Sequence, residues 1–461
     1  MKSQVPKVLH ALCGRSMLGH ALAVASELEP ERLVVVAGHQ REQVAAEARR
    51  QAAEVAIVIQ DKLCGTGHAV RMVTEALGAL NGIIVVTYGD MPLLRASTLQ
   101  ELTREHAARH NAVTVLTARV QDPTGYGRIV RDGQGNLIEI VEQADAMPAQ
   151  QAIDEINSGC YAFDGALLAD AIKRVATDNA QGQEYLTDVV SILRSDGHPV
   201  GTTTAQDSEE IQGINDRVQL AQARQIMNRR LLDGLMRDGV TVMDPASTWV
   251  DVTVTVGQDA EILPFTYLEG RTAIDTAATV GPNCRLIDTR IGANATVSYT
   301  VAKQASVGPG ASVGPFAYLR PDTKIGKNAH VGTYVELKKS TVGEGSKVPH
   351  LTYVGDADLG ADVNIGAGTI FANYDGVHKH HTTVGDGVFI GSDSVLIAPL
   401  AIGDGAYTAA GSAISEDVPS GALGIGRARQ HNSAGWTERR RQGTRSAEAA
   451  NRARLKTEGD A

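Results

Sequence analysis

Several stretches of this chain carry reactive or ligating side chains. His350 sits in KVPHLTY (347–353), with Arg320 and Lys338 upstream of it. An imidazole titrates near neutral pH, which suits it to taking a proton from an amine or hydroxyl. A guanidinium grips phosphate through two parallel N–H bonds, while an ammonium acts as a point charge. Asp90 ends the run GIIVVTYGD (82–90), where a carboxylate serves either a divalent cation or a turn. HKHH at 378–381 gathers three histidines in one short stretch, with Asp375 as the only nearby carboxylate. Histidines confined to one loop suit a metal poorly, and metal binding there is disfavoured. Cys13, Cys64, Cys160 and Cys284 are far apart, with no CxxC, so a reducing cytoplasm is expected. Taken singly, each of these side chains is more often a solvated charge, a cap or a turn residue. The elements that carry them must decide.

The first 217 residues alternate aliphatic runs with helical patterns. RLVVVAG (32–38), EVAIVIQ (54–60) and GIIVVTYGD (82–90) read as buried strands, separated by helices near 40–52 and 68–79. This is the pattern of βαβ units and predicts a mainly parallel, Rossmann-like sheet. Ligands of such sheets bind at the carboxyl ends of the strands, where Tyr88, Gly89 and Asp90 lie. Residues 7–28 read as an amphipathic helix, because Pro6, Lys7, His10, Arg15 and His20 interrupt any secretory h-region. A helix over 218–238 follows, with Leu220, Ala223, Met227, Leu231 and Leu235 as its apolar stripe.

Past residue 239 the period changes. Val307, Val313, Leu319, Ile325, Val331 and Leu337 are spaced by six, and glycine follows four of them. Six fits neither a helix nor an alternating strand. It fits a parallel β-helix in which each flat face turns one aliphatic side chain inward and three faces complete a coil. Two irregularities stand out: the five-residue step from Leu337 to Val342, and the stretch 371–383, which no repeat covers. Both are expected to loop outward, where function concentrates. The net charge of −10 argues against nucleic acid, since the one basic cluster, Arg439–Arg441, lies near the C-terminus. No apolar run approaches transmembrane length, and no membrane insertion is expected.

The segment RPDTKIGKNAHVGTYVELKKSTVGEGSKVPHLTYVGDADLGADVNIGAGTIFANYDG (320–376) closely resembles the acetyltransferase domain of the bifunctional glucosamine-1-phosphate N-acetyltransferase and N-acetylglucosamine-1-phosphate uridylyltransferase family. YGDMP (88–92), QDKLCGTGHA (60–69) and GINDR (213–217) are similar to its nucleotidyltransferase domain. The resemblance covers almost the whole chain. It implies a truncated uridylyltransferase domain over 1–217, a linker helix over 218–238 and a left-handed hexapeptide β-helix over 239–461. It implies acetyl transfer from acetyl-CoA to glucosamine-1-phosphate, then uridylyl transfer from UTP, for bacterial cell-wall synthesis. The family's base falls on His350, and its sugar-phosphate pocket on Arg320, Lys338, Tyr353 and Asn364. Its acetyl-CoA groove, between subunits of a homotrimer, falls on Ala367, Asn373, Tyr374, Ser392, Ala410 and Arg427. Its Mg²⁺ ligands fall on Asp90 and Asn215. Its nucleotide and sugar contacts fall on Lys7, Gln60, Gly65, Thr66, Tyr88, Gly89, Gly127, Glu142 and Asn157.

The family opens with a strand and a phosphate-cradling LxAGxGTRM loop, and this sequence begins at that loop's final Met. The expectation is therefore a chain that acetylates well and uridylylates poorly or not at all. Two other readings compete: a non-catalytic β-solenoid scaffold, and a sugar nucleotidyltransferase of different base or sugar specificity. A scaffold needs only the six-residue period, without the charged group around KVPHLTY. The other nucleotidyltransferases lack that stretch and the acetyl-CoA positions.

Overall fold

A computed structural model describes residues 1–459. Its contacts divide the chain into two compact units, Met1–Gln304 and Ala305–Ala461.

In the first unit the expected strands form at Val34–Ala37, Ala56–Ile59 and Ile83–Val86, and the helices between them at Arg41–Gln51 and Thr66–Leu77. The sheet is more mixed than expected. Val34–Ala37 and Ala56–Ile59 pair in parallel as a sheet of their own. Ile83–Val86 pairs antiparallel with Glu155–Asp164, which also runs antiparallel to Val113–Arg119. The reason lies in Glu155–Asp164 itself. It is buried at nine of its ten positions, so it serves as an inner strand covered on both faces, although its polar residues hide it from a search for apolar runs. Arg128–Arg131 and Leu137–Val141 add an antiparallel hairpin turned by Asp132–Asn136.

The helix expected over 7–28 is shorter. Lys7–Leu9 is a single 3-10 turn, Ala11–Leu12 and Arg15–Ser16 form a small hairpin, and the helix proper is Met17–Ser26. Cys13 and Gly14 take positive φ, which breaks the helix and turns the chain. Ser16 then caps the new start by accepting from the Gly19 amide at 3.0 Å. The later helix, Arg217–Arg237, is capped by Asp216 at 2.8 Å. It buries Leu220, Ala223, Asn228 and Leu232 rather than the full expected stripe. Asn228 wins its place by bridging the Thr248 carbonyl at 2.7 Å and the Val250 amide at 3.0 Å.

The six-residue period holds in three dimensions as a left-handed parallel β-helix. Val307, Val313, Leu319, Ile325, Val331 and Leu337 are all buried, forming the aliphatic column. Successive coils stack in parallel register, as in Ser312 on His330 and Tyr318 on Glu336. The step from Leu337 to Val342 does not loop outward. Glu336–Val342 is one continuous strand in register with Tyr353–Leu359, and Lys339 takes φ 45° within it. A coil absorbs one missing residue by tightening a corner. It cannot absorb seven extra ones, and these leave the coil as a hairpin closed by an antiparallel bridge between Tyr374 and Lys379. No helix among the described residues is long and apolar enough to cross a membrane.

Candidate functional site

The first unit gathers its polar residues around the ends of its strands. Lys7 leaves the opening turn and places Nζ 2.5 Å from Asp90 Oδ2 and 2.8 Å from Asn215 Oδ1. The Ile214 amide donates to the Asp90 carbonyl at 3.0 Å, which fixes the two metal candidates as neighbours. Gln60 is buried and donates to the Gly65 carbonyl at 3.1 Å. Gly65 has φ 111°, and a Cβ there would lie 2.4 Å from the Glu184 carbonyl, so only glycine fits. Thr66 Oγ1 accepts from the Leu186 amide at 3.1 Å, and its side chain also meets Tyr88. Burial pushes the Tyr88 phenol well up. Tyr88 lies so close to Gly159 that a Cβ on Gly159 would sit 2.0 Å from its ring, while Gly89 packs by Leu18 and Val8.

Gly127, Glu142 and Asn157 converge beside this group. A Cβ on Gly127 would meet Glu142 Oε2 at 3.4 Å and Asn157 Cβ at 3.5 Å. Burial raises the Glu142 carboxyl against a hydrogen bond from Thr187 Oγ1 at 3.2 Å. Two residues of this pocket escaped the sequence reading: Thr187, and Tyr185, whose buried hydroxyl has no hydrogen-bond partner among the described residues. Their signal was the polar–aromatic run EYLTD (184–188), hidden because its pocket partners Gly127, Glu142 and Asn157 lie far before it in the chain.

In the second unit, His350 closes the strand Lys347–His350 with its side chain exposed. Lys338 Nζ lies 3.0 Å from Asp356 Oδ2, and Asn373 donates to the same oxygen. Tyr353 belongs to this group, since a Cβ on Gly355 would meet both its hydroxyl, at 2.4 Å, and Asn373 Nδ2, at 2.8 Å. Arg320 pairs with Glu336 at 2.9 Å, and Glu336 stacks in register under Tyr353. Asn364 lies apart from these, in the neighbouring sheet, one coil above Lys347. Burial opposes the charge on Lys338, yet the Asp356 carboxylate beside it holds its pKa above the ordinary lysine value. Lys379 and Asp356 were not foreseen as site residues: the hairpin returns Lys379 to this coil, and Asp356 lies in the strand stacked on that of Lys338.

Ala367, Ser392 and Ala410 form a line at one corner of successive coils. A Cβ on Gly366 would sit 2.4 Å from the Ser392 amide, and one on Gly391 would sit 2.4 Å from the Ala410 amide. Arg427 ends the line, with Cδ 3.8 Å from a Cβ built on Gly411. Asn373 is thus joined to the lysine group rather than to this line, and Tyr374 is exposed on the hairpin. Each of two hairpin histidines has a carboxylate: His380 meets Asp375 at 2.7 Å, and His381 meets Asp358 at 3.1 Å, a partner the sequence did not show.

Two family profiles match parts of the chain. The Nucleotidyl transferase family profile matches residues 2–254, and the Bacterial transferase hexapeptide (six repeats) profile matches residues 304–339. "Bifunctional protein GlmU" of Streptomyces avermitilis is 58% identical over 100% of this chain and 96% of its own length. The protein of the same title from Thermobifida fusca is also 58% identical over 100% and 96%. That of Corynebacterium glutamicum is 50% identical over 98% and 94%. The chain belongs to the GlmU family. As a GlmU-family protein it is a multifunctional transferase, with glucosamine-1-phosphate N-acetyltransferase and UDP-N-acetylglucosamine diphosphorylase activities. The scaffold reading and the other nucleotidyltransferase reading are not favoured.

Proposed function

We propose that His350 is the base of acetyl transfer, and that Asp90 and Asn215 hold the Mg²⁺ of uridylyl transfer in this chain. The observation that carries the proposal is the pairing of cations with polar groups at both places: Lys7 with Asp90 and Asn215, and Lys338 with Asp356, Asn373 and Tyr353.

In the acetyl step, Arg320 and Lys338 hold the sugar phosphate, with Tyr353 and Asn364 against the ring. His350 takes a proton from the amine as nitrogen attacks the thioester carbon. The C–N bond forms, the C–S bond breaks, and the thiol of CoA leaves. The row Ala367, Ser392 and Ala410 offers small corners along which a pantetheine arm lies, with Arg427 for a CoA phosphate and Asn373 and Tyr374 near the acetyl end. An exposed row becomes a groove when a second copy faces it, so the working form is a homotrimer. Phe316, Tyr334 and Leu351 support this. They are large, exposed and one per coil, and the first two stack at 5.4 Å.

In the uridylyl step, the residues present suit a hard divalent cation. Asp90 and Asn215 offer oxygen donors, and the Lys7 ammonium already occupies a cationic position between them. Mg²⁺ bound there supplies charge neutralisation on the nucleotide phosphates. Lys7 contacts those phosphates, Gln60, Gly65 and Thr66 read the uracil, and Tyr88 and Gly89 line the pocket. Gly127, Glu142 and Asn157 hold the sugar. The four unpaired cysteines accord with a cytoplasmic enzyme.

Both reactions are tested on one preparation, with acetyl-CoA plus glucosamine-1-phosphate, and with UTP, Mg²⁺ and N-acetylglucosamine-1-phosphate. His350→Ala is expected to cut acetyl transfer by roughly 10²- to 10⁴-fold and to leave uridylyl transfer intact. Full acetylation by that variant would sink the assignment of the base.

A further inference from the structure

The side chain of Arg128 is among the largest fully buried ones in the molecule, with its residue 2% exposed. It pairs with no carboxylate among the described residues. Its guanidinium is satisfied only by neutral acceptors: Nη1 donates to the Tyr126 carbonyl, and Nη2 to Gln143 Oε1 at 2.8 Å and to the Gln151 carbonyl at 3.4 Å. Its Nε is buried with no partner. The Asp122 carboxylate acts on it only from beyond ion-pair distance. A buried charge so weakly compensated is costly, and a well-packed apolar residue would usually stabilise the fold more. A residue of this kind is kept for what it holds in place.

What it holds is the turn leading into Gly127. Gln143 Oε1 accepts from Arg128 and also from the Gly125 amide at 3.1 Å. Arg128 thus grips the turn from both sides, at Gly125 through Gln143 and at Tyr126 directly. Gly125 has φ 88°, so the turn is a tight one. Gly127 follows, and its carbonyl accepts from the Asn157 amide at 2.8 Å. The Tyr126 hydroxyl meets the backbone at Gly213, two residues before Asn215. The guanidinium therefore ties the Gly125–Tyr126 turn to Gln143, next to Glu142, and Asn157 joins through the Gly127 carbonyl.

We infer that Arg128 is a positioning residue for the sugar phosphate in uridylyl transfer, acting through Gly127 and the 124–127 turn. It touches no substrate. The inference rests on the assignment of Gly127, Glu142 and Asn157 to the sugar pocket.

The test is steady-state kinetics on the full chain, with the thermal unfolding transition of the first unit as the control for folding. Arg128→Met and Arg128→Lys are expected to raise KM for N-acetylglucosamine-1-phosphate by roughly tenfold, since lysine reaches only one of the acceptors. KM for UTP and kcat should move less than about twofold, and acetyl transfer should not change. Gln143→Glu keeps both acceptor bonds and gives Arg128 a carboxylate, so it should retain the wild-type KM. Should the Arg128 variants fail to fold, Gln143→Leu removes the shared acceptor at a half-buried position, and the same rise in sugar-phosphate KM is expected. An unmoved KM in the soluble variants, or equal losses for UTP and sugar phosphate, would overturn the inference. A wild-type chain that makes no UDP-sugar would sink the functional reading instead.

Discussion

The two units place their polar residues in opposite ways. In Met1–Gln304, Gln60 and Asn157 are buried, Glu142 is largely enclosed, and Tyr88 is wedged against Gly159. In Ala305–Ala461, His350, Ser392, Ala410 and Arg427 stand exposed on the outside of the coil, because nearly all inward positions are taken by the aliphatic column, Thr408 being an exception. A folded-over sheet builds a pocket from one chain. A coil packed solid with side chains can present a site only on its surface, and needs a second surface to enclose a substrate. On the proposed assignments the acetyl site is expected to depend on assembly, while Lys7, Asp90, Asn215, Gln60 and Glu142 line the uridylyl pocket from one chain.

Three experiments probe this contrast. The largest effect is expected from Asp90→Asn, which should lower uridylyl transfer by roughly 10²- to 10³-fold while sparing acetyl transfer. It should also weaken Mn²⁺ binding measured by calorimetry, and unchanged binding would remove Asp90 from the metal site. Next, Phe316→Ser combined with Tyr334→Ser should dissociate the trimer in light scattering and reduce acetyl transfer by at least about tenfold. Uridylyl transfer should persist. Equal loss of both activities would erase the contrast.

The smallest effect concerns acid. The buried histidines, His20, His68 and His106, all lie in the first unit. Burial pushes His20 down to about 4, against a hydrogen bond from Nε2 to the Leu12 carbonyl at 2.7 Å. The folded chain keeps it neutral, whereas the unfolded chain protonates it below its ordinary value of 6.5. Its stability contribution is present above pH 6.5 and is lost as the pH falls from 6.5 toward 4, up to about 3 kcal/mol. Thermal unfolding of the first unit should therefore fall over that window, and His20→Gln, which keeps the donor, should flatten the fall. A parallel fall in both unfolding transitions would remove His20 as the cause.

The aliphatic column from Val307 to Leu337 was legible in the sequence, because a β-helix repeats one local environment every six residues. The strands before Asp90 were legible for the same local reason. Three things were not. Glu155–Asp164 became an inner antiparallel strand, the five-residue step tightened within a coil, and Lys379 returned to Lys338. Each depends on which distant segment lies alongside, and no local pattern encodes that.

By itself the sequence determined the two kinds of architecture and the reactive side chains, since side-chain type and period are local properties. Only the tertiary structure decided that Lys7 bridges Asp90 and Asn215 across gaps of 83 and 208 residues, and that Arg128 is buried with no carboxylate at ion-pair distance. The physical reason is that ion pairing and burial act between atoms close in space, whatever their separation along the chain.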